Sequence, residues 1–337
     1  MSKVLGMKVT LKDIANKSGV SVSTVSRILS GDTSRKSSES TVALVRKTAD
    51  ELGYAESKER GLRKARRELR VGAVFLADHE MVTQEFFQGI LSGIHEEAGM
   101  LSEKENLVLS LFTMTGENSQ VEALDGAVVL GRGSSGMLSA LRSRIPLLVY
   151  AGLNSIGGMD EVVSDCAEGI RDAVRHLYSR GCRRIAYIGP EKSEWAVNEH
   201  RYQGYVHAIA ELGLENLHEF SHLTGEDGYD AAGRLLGRIC PDGIAVGNDN
   251  TAAGVLKAIL ERGLRVPEDI KLTGFDNASF SRFMTPPLTT FDVPTAELGR
   301  FALKILMDRL GKDRDYDISV RIPYRLIERR STEENNE

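Results

Sequence analysis

Apolar residues in the first 54 positions recur at three- and four-residue intervals, whereas those after residue 70 gather into short continuous runs. Leu11, Ile14 and Ala15 form one helical face, and Val22, Val25 and Leu29, with Ile28 beside them, form a second. Val42, Val45, Ala49 and Leu52 form a third. The spacing predicts a helix opened by Thr10, with Asp13 three residues on completing a capping box, and closing near Ser18. A second helix starts from Ser21 as its N-cap, and a third runs from Glu39 to Leu52 with Gly53 as its stop. Only Gly19-Val20-Ser21 separates the first two, the short glycine-opened turn of a helix-turn-helix.

The later runs, RVGAVFLA, LVLSLF, GAVVLG, IPLLVYAG, RIAYIG, GIAVGND and IKLTGFD, are rich in β-branched residues and alternate with amphipathic segments such as Glu168 to Arg180. That alternation predicts an α/β body with parallel sheets. It also repeats: VGAVFLA leads to FFQGI as RIAYIGP leads to RYQGY, and LDGAVVLG is echoed by PDGIAVGND. Two similar α/β halves are expected, with strand ends facing a shared cleft.

Charge separates the same two regions. Residues 1–70 carry 16 Lys and Arg against 8 Asp and Glu, while the rest carry 27 against 40, leaving the 337-residue chain at −5. A basic head on an acidic body fits a phosphate-seeking module joined to a domain that avoids nucleic acid. No apolar run approaches the roughly 18 residues a membrane span needs, and the first residues lack a signal peptide's apolar stretch. Cys166, Cys182 and Cys240 are too widely spaced for a metal or redox motif, which fits free thiols in a cytoplasmic protein. No cofactor or metal is expected.

The second helix is short of long charged side chains. Ser21, Ser23, Thr24, Ser26 and Ser30 hug the helix and leave Arg27 to reach outward. Such a face permits close approach to another surface; the plain alternative is a helical hairpin with a solvated serine face.

The stretch VTLKDIANKSGVSVSTVSRILSG, followed by ELGY, resembles the head of the lactose/galactose repressor family (LacI/GalR) of bacterial transcription factors nearly position for position. The resemblance implies that Ser21, Val22 and Ser23 begin a recognition helix, with Val22 and Ser23 reading base edges of operator DNA. It assigns Thr24, Ser26 and Arg27 to phosphates or bases, and Thr10 and Tyr54 to the backbone, with Leu11 and Ser30 in the same contact set. The family's usual asparagine is absent at Ser30. Most members start where Met7 stands, so Met1 to Gly6 are expected to be an extension or a misjudged start.

By composition, AESKERGLRKARRELR, residues 55–70, is a charged, proline-free linker. In the family this segment is a hinge helix that forms on the operator, pairs with its twin across a dimer and wedges a leucine into the minor groove. Leu62 matches that leucine, although Glu56-Ser57 and Glu59-Arg60 replace the usual Pro-Asn and Ala-Arg. The implied organisation is an all-α helix-turn-helix head over 1–54, a hinge over 55–70, and a periplasmic-binding-protein-like body over 71–337. The body divides into a subdomain of 71–164 and 293–322 and another of 165–292 and 323–337. The tail YRLIERRSTEENNE lacks leucine heptads, so a homodimer rather than a coiled-coil tetramer is expected.

For the body, NEHRYQGY, VGNDNTAAGVLKAI and GFDNASFSRFMTPPLTTF resemble the family's effector-contacting stretches. The resemblance implies that Arg201 and Asp276 grip neighbouring hydroxyls of a small carbohydrate, a galactoside by likeness, and that Asn248 bridges them. Asp249 and Asn277 read as helix N-caps. Phe87 and Trp195 either stack on a sugar ring or belong to the core. Two other readings stand beside this one. A family member can respond to a purine or a protein corepressor. Gly131 to Gly136 also satisfies G-x-G-x-x-G, the turn of a nicotinamide-dependent enzyme, but the next strand ends at Tyr150-Ala151-Gly152 without the acid a ribose needs.

Overall fold

A computed structural model describes residues 9–30, 37–54, 68–76, 84–105, 108–115, 124–131, 133–191, 199–311 and 314–333. Its contacts divide the chain into a head unit of residues 1–68 with 106–108, and a body unit of residues 69–105 and 109–337.

The head is built on helices α1 (Leu11–Ser18), α2 (Val22–Ser30) and α3 (Glu39–Glu51). Thr10 Oγ1 accepts from the Asp13 backbone N–H (3.4 Å) while Asp13 Oδ2 accepts from the Thr10 N–H (2.7 Å), closing the capping box. Gly19 ends α1 at φ +67°, a left-handed conformation that costs a side-chain-free residue little. The chain then re-enters a helix at once, with Ser21 Oγ accepting from the Thr24 N–H at 3.3 Å. Ile14, Ala15, Val25, Ile28, Val45 and Ala49 fill the space between the helices. Val22 departs from the expected apolar stripe and is 44% exposed. It occupies the first helical turn, ahead of the Val25–Ile28 pair that meets α1 and α3, so the packed face starts one turn later.

The body has two parallel sheets. The first contains β1 (Glu68–Phe75), β2 (Val108–Thr115), β3 (Gly126–Leu130), β4 (Leu148–Gly152), β5 (Asp160–Val163) and β11 (Ser319–Arg321), in the order β11-β5-β4-β3-β1-β2. The second contains β6 (Ile185–Gly189), β7 (Leu217–Phe220), β8 (Gly243–Val246) and β9 (Lys271–Thr273), in the order β7-β6-β8-β9. β10 (Thr290–Asp292) and β12 (Arg325–Ile327) pair antiparallel between them. In chain order the strands run from the first sheet (β1–β5) to the second (β6–β9), then to β10, back to the first sheet at β11 and on to β12. β1 begins inside the segment assigned to the linker, because Leu69 is buried and the Arg70 N–H donates to Asp125 Oδ2 at 2.8 Å.

Helices cover the sheets: α4 (Glu85–Glu105), α5 (Ser135–Arg142), α6 (Cys166–Ser179), α7 (Arg201–Leu212), α8 (Gly225–Leu236), α9 (Asp249–Glu261) and α10 (Thr295–Gly311). Burial on both faces explains why strands such as GAVVL read as unbroken apolar runs. The internal repeat has a physical basis in two shared devices. Asp125 before β3 accepts the Arg70 N–H, as Asp242 before β8 accepts the N–H groups of Arg183 (2.8 Å) and Arg184 (2.9 Å). Each aspartate clips the neighbouring strand's entry. The repeated glycines Gly89 and Gly204 mark close helix crossings: a Cβ at Gly204 would lie 1.9 Å from the Ala167 carbonyl oxygen, and one at Gly89 would lie 2.0 Å from Thr295 Oγ1.

Candidate functional site

The carboxyl ends of both sheets open onto one narrow cavity of ≈ 40 Å³. One wall comes from the first subdomain: Gln84, Phe86 and Phe87 around the start of α4, Gly131 after β3, and Tyr150, Gly152, Leu153 and Asn154 at the end of β4. The facing wall comes from the second: Glu199 and Arg201 at the start of α7, Leu223, Asn248 after β8, and Asp276 after β9. Arg201, Asn248 and Asp276, distant in sequence, therefore meet at one cavity.

Arg201 is 4% exposed. Its Nη1 lies 3.2 Å from Glu199 Oε2 and its backbone N–H donates to Glu199 Oε1 at 3.0 Å. Burial opposes the guanidinium's charge, but Glu199 and, further off, Asp276 outweigh it and hold the proton more firmly than usual. Nε and Nη1 make no hydrogen bond among the described residues. Asp276 sits at φ +99°, a strained conformation for a residue with a side chain, and its backbone N–H is tied to the Phe291 carbonyl at 2.9 Å. Its Oδ1 is buried without a hydrogen-bond partner among the described residues. Burial pushes its carboxyl up to about 8; Arg201 works against that and Asp249 adds to it. Buried polar groups are ordinarily paired, so these three atoms form a donor and acceptor set that a ligand can complete.

Asn248 has a different first duty from the bridging role implied for it. Its Oδ1 caps α9 by accepting the Thr251 N–H at 2.9 Å, and its Nδ2 lies 3.4 Å from the Leu223 carbonyl. The caps read at Asp249 and Asn277 are corrected accordingly. Asp249 is buried in the first turn of α9, accepting from Thr290 Oγ1 (2.6 Å) and the Ala278 N–H (2.8 Å), and burial pushes its carboxyl to about 7. Asn277 caps no helix: it donates to Asp292 Oδ1 at 2.9 Å and accepts from Arg329 Nη2 at 2.7 Å, tying the Asp276 loop to a crossing strand. Phe87 is 5% exposed and packs edge-on against Phe75, so its core reading holds while it also lines the cavity. Trp195 lies outside the described residues. Glu199, Tyr150 and Asn154 are cavity residues that the sequence reading passed over. Glu199 stands two positions before Arg201, and Asn154, which donates to Cys166 Sγ at 3.0 Å, follows the strand IPLLVYAG.

In the head, Ser21, Val22, Ser23 and Ser26 are exposed, as is Thr10; Thr24 and Arg27 are half-buried. Ser21 Oγ lies 3.0 Å from Ser23 Oγ and 2.9 Å from Thr24 Oγ1, so the hydroxyls gather at the start of α2 around Val22. Arg27 Nη2 donates to Ser37 Oγ at 3.2 Å. Leu11 and Tyr54 pack against the head's core. Leu62 and the side chain of Ser30 lie outside the described residues. The glycine-rich turn is a strand-to-helix connection, with Ser134 Oγ capping α5 through the Met137 N–H at 3.2 Å; it follows an inner strand flanked by β1 and β4. No described helix is long and apolar enough to cross a membrane.

Residues 10–57 match the family described as bacterial regulatory proteins, lacI family, and residues 174–332 match a periplasmic binding protein-like domain. Catabolite control protein A of Priestia megaterium is 29% identical, over 97% of this chain and 100% of its own. The HTH-type transcriptional repressor MelR of Bacillus subtilis (strain 168) is 30% identical, over 96% of this chain and 97% of its own. A solved transcriptional regulator CelR-cellobiose complex superposes with a TM-score of 0.68 at 25% identity, covering 96% of this chain and 99% of that one.

Proposed function

This chain belongs to the lacI family of bacterial regulatory proteins, and from that premise we propose that it is a cytoplasmic, homodimeric repressor whose hold on its operator is set by a small carbohydrate. The observation that carries the effector reading is the incomplete pairing of Arg201 Nε and Nη1 and Asp276 Oδ1 at one buried cavity. A sugar hydroxyl is donor and acceptor at once, so adjacent hydroxyls satisfy a guanidinium and a carboxyl side by side. Phe86, Phe87 and Tyr150 give the opposite wall apolar faces of the kind that bind a sugar ring. The cellobiose complex of the structurally similar CelR supports the same class of ligand. A galactoside is the first candidate within it.

The mechanism follows from the crossings. A ligand that joins the Arg201–Asp276 wall to the Gln84–Asn154 wall favours one relative angle of the two subdomains, and on this reading rotation is absorbed at three crossings, near Ser164, Asp292 and Ile322. The first subdomain receives the chain from the head at β1, so its angle is what the hinge and recognition helix sense. Val22 and Ser23 read bases from a recognition helix that Ser21 opens, Thr24, Ser26 and Arg27 contact phosphates or bases, and Thr10 and Tyr54 anchor the DNA backbone.

The test is fluorescence anisotropy of the full chain on an operator selected from random oligonucleotides, titrated with galactose, melibiose, lactose, cellobiose and, as the competing class, hypoxanthine and guanine. A sugar is expected to shift operator affinity. A response to the purine bases alone sinks the carbohydrate reading.

A further inference from the structure

Among the described residues, three charged side chains line the cavity: Glu199, Arg201 and Asp276. A guanidinium buried to this degree ordinarily marks a site for a carboxylate or phosphate, because its fork matches two anionic oxygens. Here that capacity is already engaged from within. Glu199 is 1% exposed, lies two residues from Arg201 and meets both its Nη1 and its backbone N–H. The other carboxyl, Asp276, lies on the same wall of the cavity with an unpaired buried Oδ1. With Asp276 protonated these three groups together are neutral, and with Asp276 ionised they are negative; in neither state do they offer net positive charge to a ligand.

On the reading of the cavity as a carbohydrate site, we infer that Glu199 is a specificity-determining residue that makes the site select uncharged sugars and reject phosphorylated sugars and sugar acids. An anion entering the cavity would have to share Arg201 with a buried carboxylate and face Asp276, and it would be desolvated without a free counter-charge among the described residues. A neutral hydroxylated ring meets no such opposition. It takes a hydrogen bond from Arg201 Nε, which Glu199 does not meet, and engages Asp276 Oδ1. Glu199 also restrains where the guanidinium points, since it binds the same residue's main chain and side chain together.

The experiment is calorimetric titration of the full chain with matched sets: galactose, galactose 6-phosphate and galacturonate, then the glucose equivalents. In the wild-type protein the neutral member is expected to bind at least about tenfold tighter than either anionic partner, as like-charge opposition implies. In Glu199→Gln that gap should close or reverse. A second readout needs no sugar: inorganic phosphate should raise the melting temperature of Glu199→Gln more than that of the wild type at matched ionic strength. The added Arg201→Met change should abolish that gain. If anionic sugars bind the wild type as tightly as neutral ones, the inference is overturned while the carbohydrate reading stands. If purine bases bind and no sugar does, the carbohydrate reading falls, and equal phosphate stabilisation of wild type and variant overturns the inference with it.

Discussion

Glu85 and Ser279, 194 residues apart in sequence, are joined by hydrogen bonds: Glu85 Oε2 accepts from both the backbone N–H and the hydroxyl of Ser279, each at 3.0 Å. Glu85 stands between cavity residues Gln84 and Phe86 on one wall, and Ser279 lies three residues beyond Asp276 on the other. The pair therefore bridges the subdomains beside the cavity. Because the contact is exposed, its net worth is about 1 kcal/mol, near the usual value for one hydrogen bond. Glu85→Ala should shift the subdomains toward the open arrangement and weaken sugar binding roughly fivefold. Calorimetry with small-angle scattering checks this; unchanged affinity and radius would mean the bridge does not bias closure.

Asp276→Ala removes the unpaired carboxyl without touching the head. Operator affinity should stay at the wild-type level while the sugar response disappears, with sugar affinity falling by about 2 kcal/mol or more, as for truncating a buried charged partner. Anisotropy on the operator with and without sugar decides it. Loss of operator binding in the absence of sugar would show that Asp276 supports the fold of its strained loop rather than the ligand.

What was legible in the sequence follows burial. Strands such as GAVVL and RIAYIG lie inside their sheets, covered on both faces, and their runs announce them. β5, β7, β10, β11 and β12 are three or four residues long and carry charge, as in DEVV and SVR, so no apolar run marks them. In DEVV the acids are buried because partners far along the chain satisfy them: Arg314 donates two hydrogen bonds to Asp160, and Ser319 donates to Glu161, beside the nearer Ser155. A local pattern cannot contain that information. Glu199 escaped notice for the same reason, since its meaning depends on a cavity whose other wall is distant in sequence. Asn248 and Asp249 were exchanged because two adjacent polar residues at a helix start are equally good caps on paper, and only the backbone decides which one turns inward.

The head makes a separable prediction. Thr10→Ala removes the side-chain half of the capping box, leaving the residue-10 N–H bonded to Asp13, and should lower the head's stability by about 1 kcal/mol. Arg27→Ala should weaken operator binding without altering sugar affinity and, if it meets a phosphate, reduce the salt slope by about 1. Exchanging Val22 and Ser23, the exposed pair at the start of α2, should change operator preference, at about 1 to 3 kcal/mol per wrong base. Retained preference after that exchange would remove α2 from the base-reading role.

Assembly is checked by sedimentation at micromolar concentration, where a dimer is expected. The operator should then be an inverted repeat whose half-sites lie about one helical turn apart. A stable tetramer would contradict the reading of the heptad-free tail.

Stability should depend on pH through Asp249 and Asp276. Burial pushes their carboxyls from an ordinary 3.8 to about 7 and about 8. Between about pH 4 and those values, the folded protein keeps protons that the unfolded chain has released. Stability rises with pH only where the unfolded state binds more protons, so here the sign is reversed. The contribution of the pair is complete below pH 4, is lost as pH climbs through the folded values, and levels off above pH 8. Asp276→Asn keeps the shape and hydrogen-bonding capacity of the protonated acid but cannot ionise. Its urea midpoint should therefore fall less than the wild type's between pH 5.5 and pH 8.5, and Asp249→Asn should flatten the lower part of the same window. Sugar binding by the wild type should change across pH 8 and that of Asp276→Asn should not, because only the wild type alters its charge at the cavity there. Parallel urea midpoints for wild type and both variants across the range would show that neither carboxyl stays protonated in the folded protein at neutral pH.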